Sequence, residues 1–78
     1  MKILKSYGEA RVYQKINDKE TRFFVSLREN GMLRRYTIDR AIAEQLCRKE
    51  SMEFVLAVGL FLDGAKLKGS ENYYEVKL

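Results

Sequence analysis

Apolar and polar positions alternate strictly through the first half of the chain, and the alternation ends near Ile38. Ala10, Val12, Gln14 and Ile16 alternate with Arg11, Tyr13 and Lys15, and Phe23, Val25 and Leu27 alternate with Arg22, Phe24, Ser26 and Arg28. A period of two marks a half-buried strand, so strands are expected over Glu9–Ile16, Thr21–Glu29 and Met32–Ile38. Ile3, Leu4 and Tyr7 form an earlier apolar run interrupted by Gly8. A strand could begin before that glycine or after it.

The turns between these runs fix which side chains share a face. Asn30-Gly31 is the pair favoured in two-residue hairpin turns. It sets Glu29 opposite Met32, Val25 opposite Tyr36 and Phe23 opposite Ile38. Asn17–Glu20 offers polar turn chemistry and sets Ile16 opposite Thr21. Opposite residues point the same way. One face therefore gathers Ala10, Val12, Phe23, Val25, Leu27, Tyr36 and Ile38. The other gathers Arg11, Tyr13, Lys15, Arg22, Phe24, Ser26, Arg28 and Arg35. The two turns are read separately, yet they agree on which face is apolar.

The period then changes. Ile38, Ala41, Ile42 and Leu46 recur at helical spacing, widened by Ala43 and Cys47. Thr37 is the expected N-cap, Asp39 suits the first turn, and the end is expected near Lys49–Ser51. Met52–Leu62 is apolar almost throughout, and periodicity does not decide such a run. A buried strand is favoured, because Asp63-Gly64 next supplies hairpin-turn chemistry; as a helix the segment would be hydrophobic all round. Gly69–Asn72 reads as a turn and Tyr73–Leu78 as a last strand. The expectation is one α+β domain over residues 1–78, ordered β-β-β-α-β-β-β, with antiparallel sheet packed on one helix.

Composition narrows the function. The chain has 78 residues, 46% of them hydrophobic and 33% charged, with a net charge of +4, a globular balance that admits an anionic partner. Cys47 is the only cysteine and histidine is absent. The first fits a reducing compartment, and the second removes the commonest metal ligand and general base. The longest apolar run, Phe54–Leu62, has nine residues, against roughly 20 for a membrane span. Met1–Ser6 lacks the apolar core of a signal peptide. A cytoplasmic protein without catalytic residues, cofactor, metal or membrane partner is expected.

The candidate binding residues are Arg11, Tyr13, Lys15, Arg22, Phe24, Arg28 and Arg35, all on the non-core face. Guanidinium groups contact phosphates and aromatic rings stack on bases, so this mixture suits DNA or RNA. Arg34, pointing the other way, reads as a rim residue whose long side chain reaches water past the core edge. Phe61, Tyr73 and Tyr74 form a second candidate, an interface for a partner protein or a homodimer. The first functional expectation is a non-enzymatic nucleic-acid-binding accessory protein. The alternative is a small inhibitor or regulator, of the kind phages and other mobile elements carry, that meets an acidic protein surface and blocks a larger machine.

Overall fold

Five strands pair in chain order, each antiparallel to the next, into one sheet. The computed structural model describes all residues, Met1–Leu78. The strands are β1 (Lys2–Tyr7), β2 (Ala10–Ile16), β3 (Thr21–Glu29), β4 (Met32–Ile38) and β5 (Tyr73–Lys77). Two helices, α1 (Arg40–Cys47) and α2 (Ser51–Leu67), lie between β4 and β5 in sequence and pack on one side of the sheet. The α+β class and the antiparallel sheet packed on helix are as the sequence implies.

The central register follows from the turns. Asn30 and Gly31 have φ of +51° and +71°, the left-handed pair that a type I′ hairpin requires. β3 and β4 then pair from Glu29–Met32 through Val25–Tyr36 to Phe23–Ile38. At Asn17–Glu20 the Asn17 side chain accepts the amides of Lys19 and Glu20 at 3.0 and 2.9 Å, and Ile16 faces Thr21. The strand in question before Gly8 exists. Gly8, at φ +59°, opens a two-residue turn that pairs Tyr7 with Ala10, and an irregularity between Ile3 and Lys5 bends β1.

In the second half, the two strands expected on either side of Asp63-Gly64 are one helix. Met52–Leu62 is not a strand; it belongs to α2, and Asp63-Gly64 lies inside that helix rather than in a hairpin turn. α2 is 17 residues, about 25 Å, and it packs across the sheet against all five strands. Phe54, Val58 and Leu62 are completely buried, an i, i+4 stripe that packs with Val12, Val25 and Leu27. Burial of each such side chain stabilises by about 1.5–3 kcal/mol. The N-cap of α1 is Asp39, whose carboxylate accepts the Ile42 amide at 2.9 Å, and not Thr37. Thr37 stays in β4 opposite Phe24, where its side chain belongs to the far face of the sheet. At the other end of α1 the Lys5 ammonium donates to the Cys47 carbonyl at 3.2 Å, a cation where the helix dipole is negative.

Arg34 is not a rim residue. It is 8% exposed, because Leu27 lies opposite it in β3 and α2 covers it. Its guanidinium donates to Asp63 of α2 at 2.6 Å, to Glu29 at 3.2 Å and to the Tyr73 hydroxyl at 2.8 Å. Tyr73 in turn donates to Glu75 at 2.7 Å, which also accepts from Lys66 at 3.0 Å. One network thus ties β3, β4, β5 and the C-terminal third of α2. Burial works against the arginine's charge, but the bonds to Tyr73 and Asp63 outweigh it and raise its already high pKa. Burial, aided by the bond to Glu75, pushes the Tyr73 phenol up. The bonds from Tyr73 and Lys66 hold the Glu75 carboxyl below the usual range.

Two predictions follow from the turn and the network. Gly31→Ala places a β-carbon on a left-handed residue and should cost about 1–2 kcal/mol, read as a lower urea midpoint with an unchanged slope. Because the Glu75 pKa is depressed on folding, its stabilisation is complete above the ordinary carboxylate value and disappears as pH falls through the folded one. Glu75→Gln should therefore lower stability at pH 7 and converge with the parent at pH 2. A deficit that persists at acid pH would contradict this.

Candidate nucleic-acid interface

The face of the sheet turned away from the helices carries the basic residues. Across the strands lies a row that the register fixes residue by residue: Ser6, Arg11, Ser26, Arg35 and Tyr74 face one another in turn. A second row runs Ile3, Tyr13, Phe24 and Thr37. Lys15 faces Arg22 toward one end of β3, and Arg28 faces Leu33 toward the other. All seven expected binding residues are on this face. Arg22 is ion-paired with Glu20 at 2.8 Å, whereas Arg11, Lys15, Arg28 and Arg35 form no ion pair. The acidic partners Glu29, Asp63 and Glu75 are engaged on the helix side.

The aromatic residues do not lie open as base-stacking platforms. Tyr13 and Phe24 stack on each other, centroids 5.2 Å apart and planes 20° from parallel, but each is only 8% exposed. Cations cover them. The Lys15 ammonium lies 5.6 Å from the Phe24 centroid and the Arg35 guanidinium 5.5 Å from it. Arg35 is also 4.8 Å from the Tyr74 ring. A continuous stack therefore runs Tyr13–Phe24–Arg35–Tyr74 over β2, β3, β4 and β5, and it restricts the Arg35 guanidinium between two rings. The aromatic ring that remains open here is Tyr74, 45% exposed.

Between these side chains is a shallow concavity of about 160 Å³. Arg11, Arg28 and Arg35 stand around it with Tyr13, Ile3 and Leu33, and Ser26 forms part of its lining. Ser26 is 8% exposed, since the taller arginines flank it on both neighbouring strands, and its hydroxyl makes no side-chain hydrogen bond. Three guanidinium groups around a small hydroxyl offer donors to a tetrahedral anion from several directions. A large side chain at this place in the row would fill the concavity.

Sequence reasoning passed over two residues of this face. Ser26 carries no charge, although the register already set it between Arg11 and Arg35. Tyr74 could not be assigned to the basic face before β5 was known to pair with β4. The second candidate set is divided between the two faces of the sheet, with Phe61 and Tyr73 both beside Tyr36 on the helix side. Tyr74 belongs to the basic face, Tyr73 turns to Arg34 on the helix side, and Phe61 packs on Tyr36 with centroids 5.8 Å apart.

The other chemistry-bearing groups are explained locally. Cys47 is half-buried at the end of α1, and burial pushes its thiol up against the opposing pull of Lys5. A thiol so held is protonated and a poor nucleophile. No three His, Cys, Asp or Glu side chains gather closely enough to hold a metal ion, and no helix is long and apolar enough to cross a membrane. Comparison with protein-family models, curated proteins and solved structures finds no match to this chain.

Proposed function

We propose that this protein is a non-enzymatic nucleic-acid-binding accessory protein that holds the phosphate backbone of DNA or RNA on the open sheet face. The observation that carries the reading is the row Arg11–Ser26–Arg35 with Arg28 beside it: unpaired guanidinium groups around a small concavity, on the opposite face of the sheet from Glu29, Asp63 and Glu75. Phosphate contacts position a protein on nucleic acid without reading sequence, and no feature of the face supplies base-edge readout. Because Tyr13 and Phe24 are buried, Phe24, backed by Tyr13, acts by orienting Arg35 and Lys15, and Tyr74 is the residue available to stack on a base. The single half-buried Cys47 accords with work in the reducing cytoplasm.

Salt decides this reading. Affinity for a short DNA or RNA should fall linearly with log salt concentration, with a slope of roughly −0.7 to −0.9 per phosphate neutralised. Arg11→Glu with Arg28→Glu should remove binding at physiological salt while leaving the circular dichroism unchanged, since both side chains are exposed and unpaired. Single neutral replacements, Arg11→Gln or Arg28→Gln, should each reduce the salt slope by about one. Arg48→Glu, on the helix side, should leave the slope as it is. No binding to either nucleic acid at low salt, or equal binding to polyglutamate, would overturn the proposal in favour of an acidic protein partner or none.

A further inference from the structure

α2 is apolar on the side that packs and also on the side that does not. Met52, Leu56, Leu60 and Leu67 are 58, 63, 71 and 89% exposed, a stripe along the outer face of the helix. Scattered exposed leucines are ordinary, but a stripe the length of a helix is an interaction surface. We infer that this face docks on a second copy of the same chain, with the two α2 helices antiparallel and the two-fold axis at Leu60.

Three features select that occupant and that direction. Glu50 lies at the N-terminal end of α2 and Lys68 at its C-terminal end, neither with an ion-pair partner in the chain, whereas Glu53 and Lys66 are paired with Lys49 and Glu75. Antiparallel self-pairing brings each acidic end against the partner's basic end and opposes the helix dipoles, whereas parallel pairing sets like charge on like. Next, the stripe is self-complementary about Leu60. Residues equidistant from the axis meet, so Leu56 faces Gly64 of the second copy. A β-carbon on Gly64 would find no atom within 4 Å, so this glycine leaves a hole where a leucine arrives. Last, Leu60 stands beside an apolar groove between the helices, floored by Ile42, Leu46, Ala57 and Phe61, which can take the partner's leucine in an isologous contact. The resulting dimer is layered sheet–helix–helix–sheet, with the two basic faces pointing outward on opposite sides. The interface uses none of the residues proposed to bind phosphate, so it stands or falls independently of that reading.

Sedimentation velocity on the purified chain should give a concentration-dependent species of twice the 9.2 kDa chain mass, and Leu60→Glu should return it to one. In a Cys47→Ser background, Leu60→Cys should form an intermolecular disulfide under mild oxidation, because the axis brings that residue to its own copy. Leu56→Cys should cross-link several-fold less, since its two copies would be about 12 Å apart along the helices, beyond the roughly 7 Å that a disulfide spans. Gly64→Met, which fills the hole, should also favour the monomer. A chain that stays monomeric at high concentration overturns the proposal, as does cross-linking at Leu56→Cys that equals Leu60→Cys.

Discussion

The register of β2, β3 and β4 is the constraint on which the rest of the molecule depends. Side chains alternate between the faces of a strand, so a slip of one residue would exchange the faces entirely. Asn30-Gly31 and the Asn17 loop hold that register from both ends of β3. The same geometry that turns Phe23, Val25 and Leu27 toward the helices turns Phe24, Ser26 and Arg28 away from them. Core and candidate interface are one decision, made by the turns.

Arg34 and Arg35 show how far apart that decision sets two neighbours. Arg34 faces the helices, where a lone buried charge would be costly. Asp63, Glu29 and Tyr73 meet it there, and through them it anchors α2 and β5. Arg35 faces the open side, where no acid meets it and two aromatic rings hold it in place. One arginine is engaged in architecture and the other keeps its charge free of any acidic partner. A net charge of +4 is modest, but Glu29, Asp63 and Glu75 are engaged on the helix side, and Arg11, Lys15, Arg28 and Arg35 form no ion pair on the open side.

What was legible in the sequence is what short-range physics fixes. The strands from Ala10 to Ile38, the turns at Asn17–Glu20 and Asn30-Gly31, the apolar face and the basic face all follow from alternation and turn chemistry within about thirty residues of chain, whereas Gly8 leaves β1 undecided in the sequence. α2 was not legible because its solvent side is as apolar as its core side, which erases the helical period and leaves a run that reads equally as a strand. The absence of proline and the run's 11 residues from Met52 to Leu62 were compatible with either form. Arg34 was misjudged for a related reason: its partners Asp63 and Tyr73 arrive from 29 and 39 residues away, and no local pattern announces them. Ser26 was placed correctly but carries meaning only once Arg11 and Arg35 are seen to stand on either side of it.

The central claim is that adjacent arginines have opposite fates, and arginine side-chain NMR tests it most directly. During titration with a short single-stranded oligonucleotide, the Nε–Hε resonances of Arg11, Arg28 and Arg35 should move in a salt-dependent way. That of Arg34, already donating to Tyr73 at 2.8 Å, should stay in place. Resonances that all remain still, or an Arg34 that moves as far as Arg35, would contradict the account.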